Sequence, residues 1–291
     1  MKRILAFTLF ALIVLLSCSK QNEKIITIST NSWIGYTPLF YAQEKGYLKK
    51  INIHLITNVS LAEAADVYSV GKADMVTTTQ HEYYALKKSG HDVIPIILFD
   101  RSKGGDMIFS NKNLKDLLSA KKIYAYLEID SINAEILKEF IKDYHIDKNK
   151  IVFINKDQAQ IGELEPQRND TMLVVTYVPY NVSLEKRGFI KVASTKTTRN
   201  IIIIDALCTN PTLIRENRER LKKLKYIIDK SIQEIHANKR ASYALVKPYL
   251  GNLSYDDYVN SLQLIEWINQ PSKQLLQRIK SMGYNQKQLI Q

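Results

Sequence analysis

Short apolar runs alternate with stretches of helical length along the first two-thirds of the chain, and this alternation constrains the fold most. Candidate strands are Ile25–Thr30, Ile51–Ile56, Ala73–Thr77, Val93–Phe99, Asp106–Ser110, Lys122–Leu127, Ile151–Ile154, Met172–Thr176 and Ile201–Leu207. Between them lie helical patterns at Pro38–Lys45, Ala62–Val70, Gln80–Lys88, Leu114–Ala120, Ile132–Tyr144 and Pro179–Arg187. Strands spaced by helices of this length predict an α/β fold with mainly parallel sheets flanked by helices. From Pro211 onward only helices are expected, a helical C-terminal segment. Asn210-Pro211 offers an N-cap and a first-turn proline. Leu221, Leu224, Ile228 and Ile235 then share one helical face, and Ser254 with Asp257 reads as a capping box.

Two junctions break this pattern. Gly104-Gly105 falls between two strands, and Ser194–Asn200 is a polar return. They divide the chain into a first lobe, residues 25–105 and 200–291, and an inserted second lobe, residues 106–199. A lobe interrupted by another and joined by two crossings is a hinge arrangement that closes over a cleft. The length of 291 residues, too great for one small core, agrees with two lobes.

The N-terminus reads as a targeting segment. Lys2 and Arg3 precede an apolar run, Ile4 to Leu16, too short to span a bilayer comfortably. Leu15-Leu16-Ser17-Cys18 resembles the lipobox of bacterial lipoproteins. That resemblance implies a signal peptide over residues 1–17, lipidation of Cys18, a polar tether over 18–24 and export to the cell envelope. The lipid-anchored protein would face the periplasmic side or the outer surface of the membrane; a plain signal anchor is the other reading. The formal charge of +12 falls to +10 once Lys2 and Arg3 are removed. Export makes nucleic acid an improbable partner, and no dedicated nucleic-acid motif is present. The basic run Arg215, Arg218, Arg220, Lys222, Lys223 and Lys225, interrupted by Glu216 and Glu219, reads as a solvated helix face.

Several chemistries are excluded early. Two cysteines, Cys18 and Cys208, rule out a disulfide scaffold or a multi-cysteine metal site. Five scattered histidines lack ligand spacing, so neither a metal nor a cofactor is expected. No nucleophile–base motif is visible, so no catalytic residue is assigned. Cys208 is expected to be a buried apolar thiol.

Asn31-Ser32-Trp33-Ile34-Gly35-Tyr36-Thr37-Pro38-Leu39 follows the first strand. It sits at a strand's carboxyl end, where open α/β sheets bind ligands. With Ala42, Glu44, Gly46, Tyr47 and Leu48 it is similar to the signature of type II periplasmic solute-binding proteins of the nitrate/sulfonate/taurine and thiamine-pyrimidine group. The resemblance continues through Gly71-Lys72-Ala73-Asp74, Phe99 to Asp106, Val174 to Pro179 and Ile201 to Asp205. It implies two lobes, capture of a small organic or anionic solute, and delivery to the permease and ATPase of an ABC importer by a monomer. This chain departs from the group at Val178, where the family carries Glu, at Asp130, and at Thr198-Arg199.

Candidate ligand contacts follow from residue chemistry. Trp33 and Tyr36 offer stacking area and a polar tip, or they pack the sheet end. Tyr177 in the other lobe would close an aromatic sandwich, or pack between lobes. Thr79 and Glu82 form a capping box, and the same helix start with Thr78 supplies hydrogen-bond groups. Asp106, Glu128 and Asp205 would present carboxylates, with Ser131 nearby; Asp205 has a second reading as partner of Arg101 or Arg199. Two carboxylates in the cleft would favour a nitrogenous or cationic ligand over nitrate or sulfonate. The leading function is therefore a lipid-anchored solute-binding protein of an importer. A ligand sensor partnering a membrane signalling protein is the alternative, and an enzyme on the same fold, such as a thiamine-pyrimidine synthase, is disfavoured.

Overall fold

The computed structural model describes residues 24–198, 201–251 and 253–290. Cys18, the expected signal segment and Arg199 lie outside the described residues. Two sheets organise the chain. The first, in the order β11-β4-β10-β3-β1-β2, holds β1 (Ile26–Asn31), β2 (Ile53–Asn58), β3 (Met75–Thr78), β4 (Ile94–Ser102), β10 (Ile204–Thr209) and β11 (Ile265–Trp267). The second, β7-β6-β8-β5-β9, holds β5 (Asp106–Ser110), β6 (Ile123–Leu127), β7 (Ile151–Asn155), β8 (Met172–Tyr177) and β9 (Ile190–Ser194).

The α/β expectation holds. β1 pairs in parallel with β2 and β3, and β6 with β7 and β8. The strands that run against the rest are β10 and β11 in the first sheet and β5 in the second. They are the strands next to the crossings. β4 leads into β5 through Gly104 and Gly105, the first crossing between the sheets.

Three local expectations need correction. The segment after Pro211 is not all helix: Ile265–Trp267 forms a three-residue edge strand against Asp100–Ser102 of β4. Ile190–Ser194 is also a strand, half-exposed at a sheet edge and so without a clear apolar alternation. The return strand begins at Ile204, not Ile201.

The helices obey their end signals. Thr79 caps the Gln80–Lys88 helix with Glu82 reaching back, a complete capping box. Asn210 accepts from the Leu213 amide and Pro211 opens the Pro211–Ala237 helix. Leu221, Leu224, Ile228 and Ile235 are all buried on its inner face. Among the described residues no helix is long and apolar enough to cross a membrane.

The two crossings lie side by side. The Ser102 and Thr195 hydroxyls are 2.7 Å apart, Gly104 donates its amide to Thr195 Oγ1 at 2.8 Å, and Thr195 donates its own to the Asp106 carbonyl. Gln80 braces the return: its side chain donates to the Ile202 carbonyl at 2.6 Å and accepts the Ile204 amide at 3.1 Å.

Candidate ligand cleft

The carboxyl ends of β1, β3, β6 and β8 converge where the two sheets meet, and the chemistry-bearing side chains collect there. Trp33 leaves β1 through Ser32 and is buried against both sheets. Its indole N–H donates to the two oxygens of Asp100, each at 3.2 Å. Its ring meets Tyr177 edge-on, centroids 5.8 Å apart at 84°. The fit depends on small neighbours: a Cβ on Gly35 would stand 1.8 Å from Asp100 Oδ2, and one on Gly105 2.5 Å from the Trp33 ring.

Tyr36 is fully buried one turn on and donates its hydroxyl to Asp205. Asp205 therefore does not pair with Arg101, which lies at the surface bound to Glu266. Arg101 is a neighbour of Asp100 on an alternating strand and points the other way. Tyr177 accepts from Asn31 Nδ2 at 3.0 Å, a bond between the sheets. Tyr180 donates to the Val59 carbonyl at 2.8 Å, another such link.

Trp33, Leu61, Thr79, Asp106, Tyr177, Ile203 and Asp205 enclose a cavity of about 10 Å³, room for about one water. The structure thus brings together five of the residues expected from sequence: Trp33, Thr79, Asp106, Tyr177 and Asp205. Tyr36 stands one step behind through Asp205. Thr78 turns to the Cys208 sulfur, 3.2 Å away, and Ser131 caps the Ile132–Asp143 helix by accepting the Asn133 amide while it donates to the Glu128 carbonyl. Glu128 is buried at the end of β6, within the influence of Ser60 and Glu82 of the facing half. A larger groove of about 820 Å³ opens outside the same junction between the Gln80–Lys88 and Ile132–Asp143 helices. Lys88, Glu135 and Arg278 are among its walls, and it gathers none of the cleft carboxylates.

Electrostatics separates this cleft from an ordinary sheet junction. Glu82, Asp100, Asp106, Glu128 and Asp205 are all buried, and among the described residues no Lys or Arg lines the cavity. Loss of water pushes the Asp106 carboxyl up to about 7, with Glu82 adding repulsion. Burial, then Glu82 and Asp157, likewise lift Glu128 to about 7, against the Ser60 and Ser131 hydroxyls. Asp100 and Asp205 stand well above the carboxylate range, first through burial and then through mutual or neighbouring negative charge. Burial also raises the Tyr36 and Tyr177 hydroxyls.

Four buried acceptor atoms here have no hydrogen-bond partner: Asn31 Oδ1, Asp106 Oδ2, Glu128 Oε2 and Asp205 Oδ2. Buried polar atoms are rarely left so. Asp100 and Asn31 were not among the candidates from sequence. Asp100 sits in Phe99-Asp100-Arg101, which suggests a local pair; its partner Trp33 is 67 positions away. The capping role of Glu82 is legible in the sequence, but its second contact is not: Oε1 accepts the Ile132 amide of the second half at 2.9 Å. Among the described residues no group of three or more His, Cys, Asp or Glu side chains is placed to hold a metal ion.

Residues 33–242 match the family model described as NMT1/THI5 like. No curated protein sequence matches the chain. Among solved structures, the chain is similar to the ligand-binding component of an ABC-type import system from Staphylococcus aureus, determined with zinc bound. That likeness has a TM-score of 0.73 at 14% identity, over 89% of this chain and 91% of that one. It is similar to the periplasmic aliphatic sulphonate binding protein SsuA from Escherichia coli, TM-score 0.69 at 12% identity, over 89% and 85%. It is also similar to the periplasmic nitrate-binding protein NrtA from Synechocystis, TM-score 0.64 at 13% identity, over 80% and 68%. At these identities the likeness establishes the shared fold.

Proposed function

The chain belongs to the NMT1/THI5-like family, and from that premise we propose that it is an extracytoplasmic solute-binding protein serving an ABC importer. It captures a small nitrogenous nutrient, one that is cationic or rich in N–H donors, between two lobes formed by residues 25–105 with 200–291 and by residues 106–199. Lipidation of Cys18 anchors it in the cell envelope, facing the periplasm or the outer surface. It works as a monomer, and a permease with its ATPase takes the solute from it.

One observation carries the ligand class: among the described residues, four acceptors without a partner, three of them carboxylate oxygens, gather around a cleft lined by no Lys or Arg. Burial favours the neutral acids here, and an ammonium or ring N–H would draw them into the ionised form, which attracts such a ligand and repels a sulfonate or nitrate. The sulphonate and nitrate named for two structural neighbours belong to those proteins; the charge of this cleft argues for the opposite kind of ligand. Trp33 and Tyr177 supply aromatic walls for a ring.

The mechanism is capture without chemistry. A cavity of about 10 Å³ is far below the several hundred Å³ of an organic-ligand pocket. The lobes therefore open at the paired crossings near Gly104 and Thr195, admit the ligand, and close through contacts made to both halves. Only contacts unique to the closed state shift that equilibrium. Three support this reading: Asn31 to Tyr177, Tyr180 to Val59, and Glu82 to Ile132.

The test is thermal unfolding against a panel of amines, heteroaromatic amines, sulfonates and nitrate. A ligand at a hundred times its Kd stabilises by about 2.7 kcal/mol, a shift of several degrees. The expected result is a rise with a nitrogenous solute that Trp33→Ala and Asp106→Asn each abolish. Stabilisation by sulfonate or nitrate, or multiple turnover of the bound molecule, would refute the assignment.

A further inference from the structure

The positive charge of the chain is not evenly spread. Residues 24–105 and 201–291 carry 23 Lys and Arg against 15 Asp and Glu, whereas residues 106–199 carry 15 against 13. In the first group three of the acids, Glu82, Asp100 and Asp205, are buried at the cleft, so the outer surface is more basic still.

Much of that charge gathers at the pole of the first sheet opposite the cleft. β1 runs from Ile26 at this pole to Asn31 at the cleft, and Ile26 is tied at its start to the Asn52 carbonyl. Lys24 pairs with Asp74 just before β3, and Arg220 donates to the Lys24 carbonyl at 2.6 Å. Thr209 bonds the Asp74 carbonyl, so the Pro211–Ala237 helix also rises from here. Lys24, Lys49, Lys50, Lys72, Arg218 and Lys223 are all exposed on these segments. Asp66, Asp74, Glu216 and Glu219 lie among them, of which Asp74 pairs with Lys24 and Glu219 with Lys222 at 2.8 Å, so the bases remain in excess. Two large apolar groups stand out of the same region, Val70 at 69% exposed and Tyr226 at 68%.

We propose that this pole docks on an anionic lipid bilayer. Basic side chains bring the surface to the headgroups while their stems lie along it, and an exposed Tyr suits the interface between water and acyl chains. The chain's own course selects a membrane over other anionic partners. The first described residue, Lys24, lies within this patch, and the apolar run Ile4–Leu16 with Cys18 precedes it by a few residues. An acylated Cys18 six residues before Lys24 would hold this patch within reach of the headgroups, where its bases add electrostatic attraction. Docked in this way, the cleft faces away from the bilayer toward incoming solute, and delivery to a permease requires the pole to lift. The inference is independent of which ligand the cleft takes.

The experiment is lysine-reactive footprinting of the full-length protein, read by mass spectrometry. It compares vesicles of phosphatidylcholine with vesicles containing one-third phosphatidylglycerol. On the anionic vesicles Lys49, Lys50 and Lys72 lose labelling several-fold, and high salt restores it. Lys142 and Lys148 of the second half keep their labelling. The K49E/K50E/K72E variant loses the protection, and its partitioning falls roughly five-fold per base removed, while its circular dichroism and melting temperature in the absence of vesicles are unchanged. Equal protection on both vesicle types, protection of Lys142 and Lys148 instead, or protection by an acidic polymer but not by vesicles would overturn the proposal. A protein that bound no amine would still give the footprint, so its failure is separate from that of the cleft assignment.

Discussion

Glu82 and Ile132 belong to different halves of the molecule, and one carboxylate oxygen of Glu82 accepts the Ile132 amide at 2.9 Å. Ile132 begins the Ile132–Asp143 helix, so its N–H is one of the four the helix cannot satisfy itself. The other Glu82 oxygen holds the Thr79 amide, 2.9 Å away, and the Thr79 hydroxyl. One buried residue thus caps its own helix and charges the start of a second across the cleft, where a negative group is favourable. Glu82→Ala is expected to destabilise the protein by about 2 kcal/mol, the scale of a charged hydrogen bond. It should also enlarge the radius of gyration in X-ray scattering, and Glu82→Gln should fall between. Parent-like scattering and melting for Glu82→Ala would sink the interlobe role.

Gly35 is fixed by its neighbours. A methyl group there collides with the Asp100 carboxylate that holds the Trp33 indole. Gly35→Ala is expected to cost about 3 kcal/mol, as overpacked cores do. It should also shift Trp33 emission to the red as the indole loses its buried partner. Trp33 and Trp267 are the two tryptophans, so Trp33→Phe identifies the band. An unshifted spectrum in Gly35→Ala would contradict the packing described.

The cleft carboxyls give pH a defined sign. Asp106 and Glu128 stand near 7 in the folded protein, above their ordinary values near 4. The folded state therefore binds these protons more tightly than the unfolded chain. In the ligand-free protein their contribution is most favourable below pH 4 and is lost as pH rises through 7. A cationic ligand reverses the demand, because it needs the carboxylates ionised. Its affinity should climb between pH 4 and pH 7, by up to about tenfold per unit for each carboxyl, then level off. Calorimetry in two buffers of different ionisation heat should show proton release on binding; proton uptake would be incompatible with this cleft.

Much of this was legible locally. The capping signals at Thr79, Asn210 and Ser254, and the apolar face of Leu221, Leu224 and Ile228, lie within a few positions of one another. The aromatics after β1 and the carboxylate that starts β5 were likewise readable from strand ends. Edge strands were not. Ile190 and Lys191 face solvent, and Ile265–Trp267 is only three residues long, so neither shows its own alternation. Asp100 was missed because its environment is made by Trp33 and Gly35 from a distant segment. The Arg101–Asp205 pair failed for the same reason: a strand sends successive side chains to opposite faces, and Glu266 was waiting on the outer one.

The most direct test of the acidic cleft is calorimetric titration of the purified protein with matched ligands on one ring framework, one bearing an amine and the other a sulfonate. The account predicts saturable one-to-one binding of the amine, weakened at least tenfold in Asp106→Asn, and no heat from the sulfonate. Tighter binding of the sulfonate, or amine binding that Asp106→Asn and Glu128→Gln leave unchanged, would contradict it.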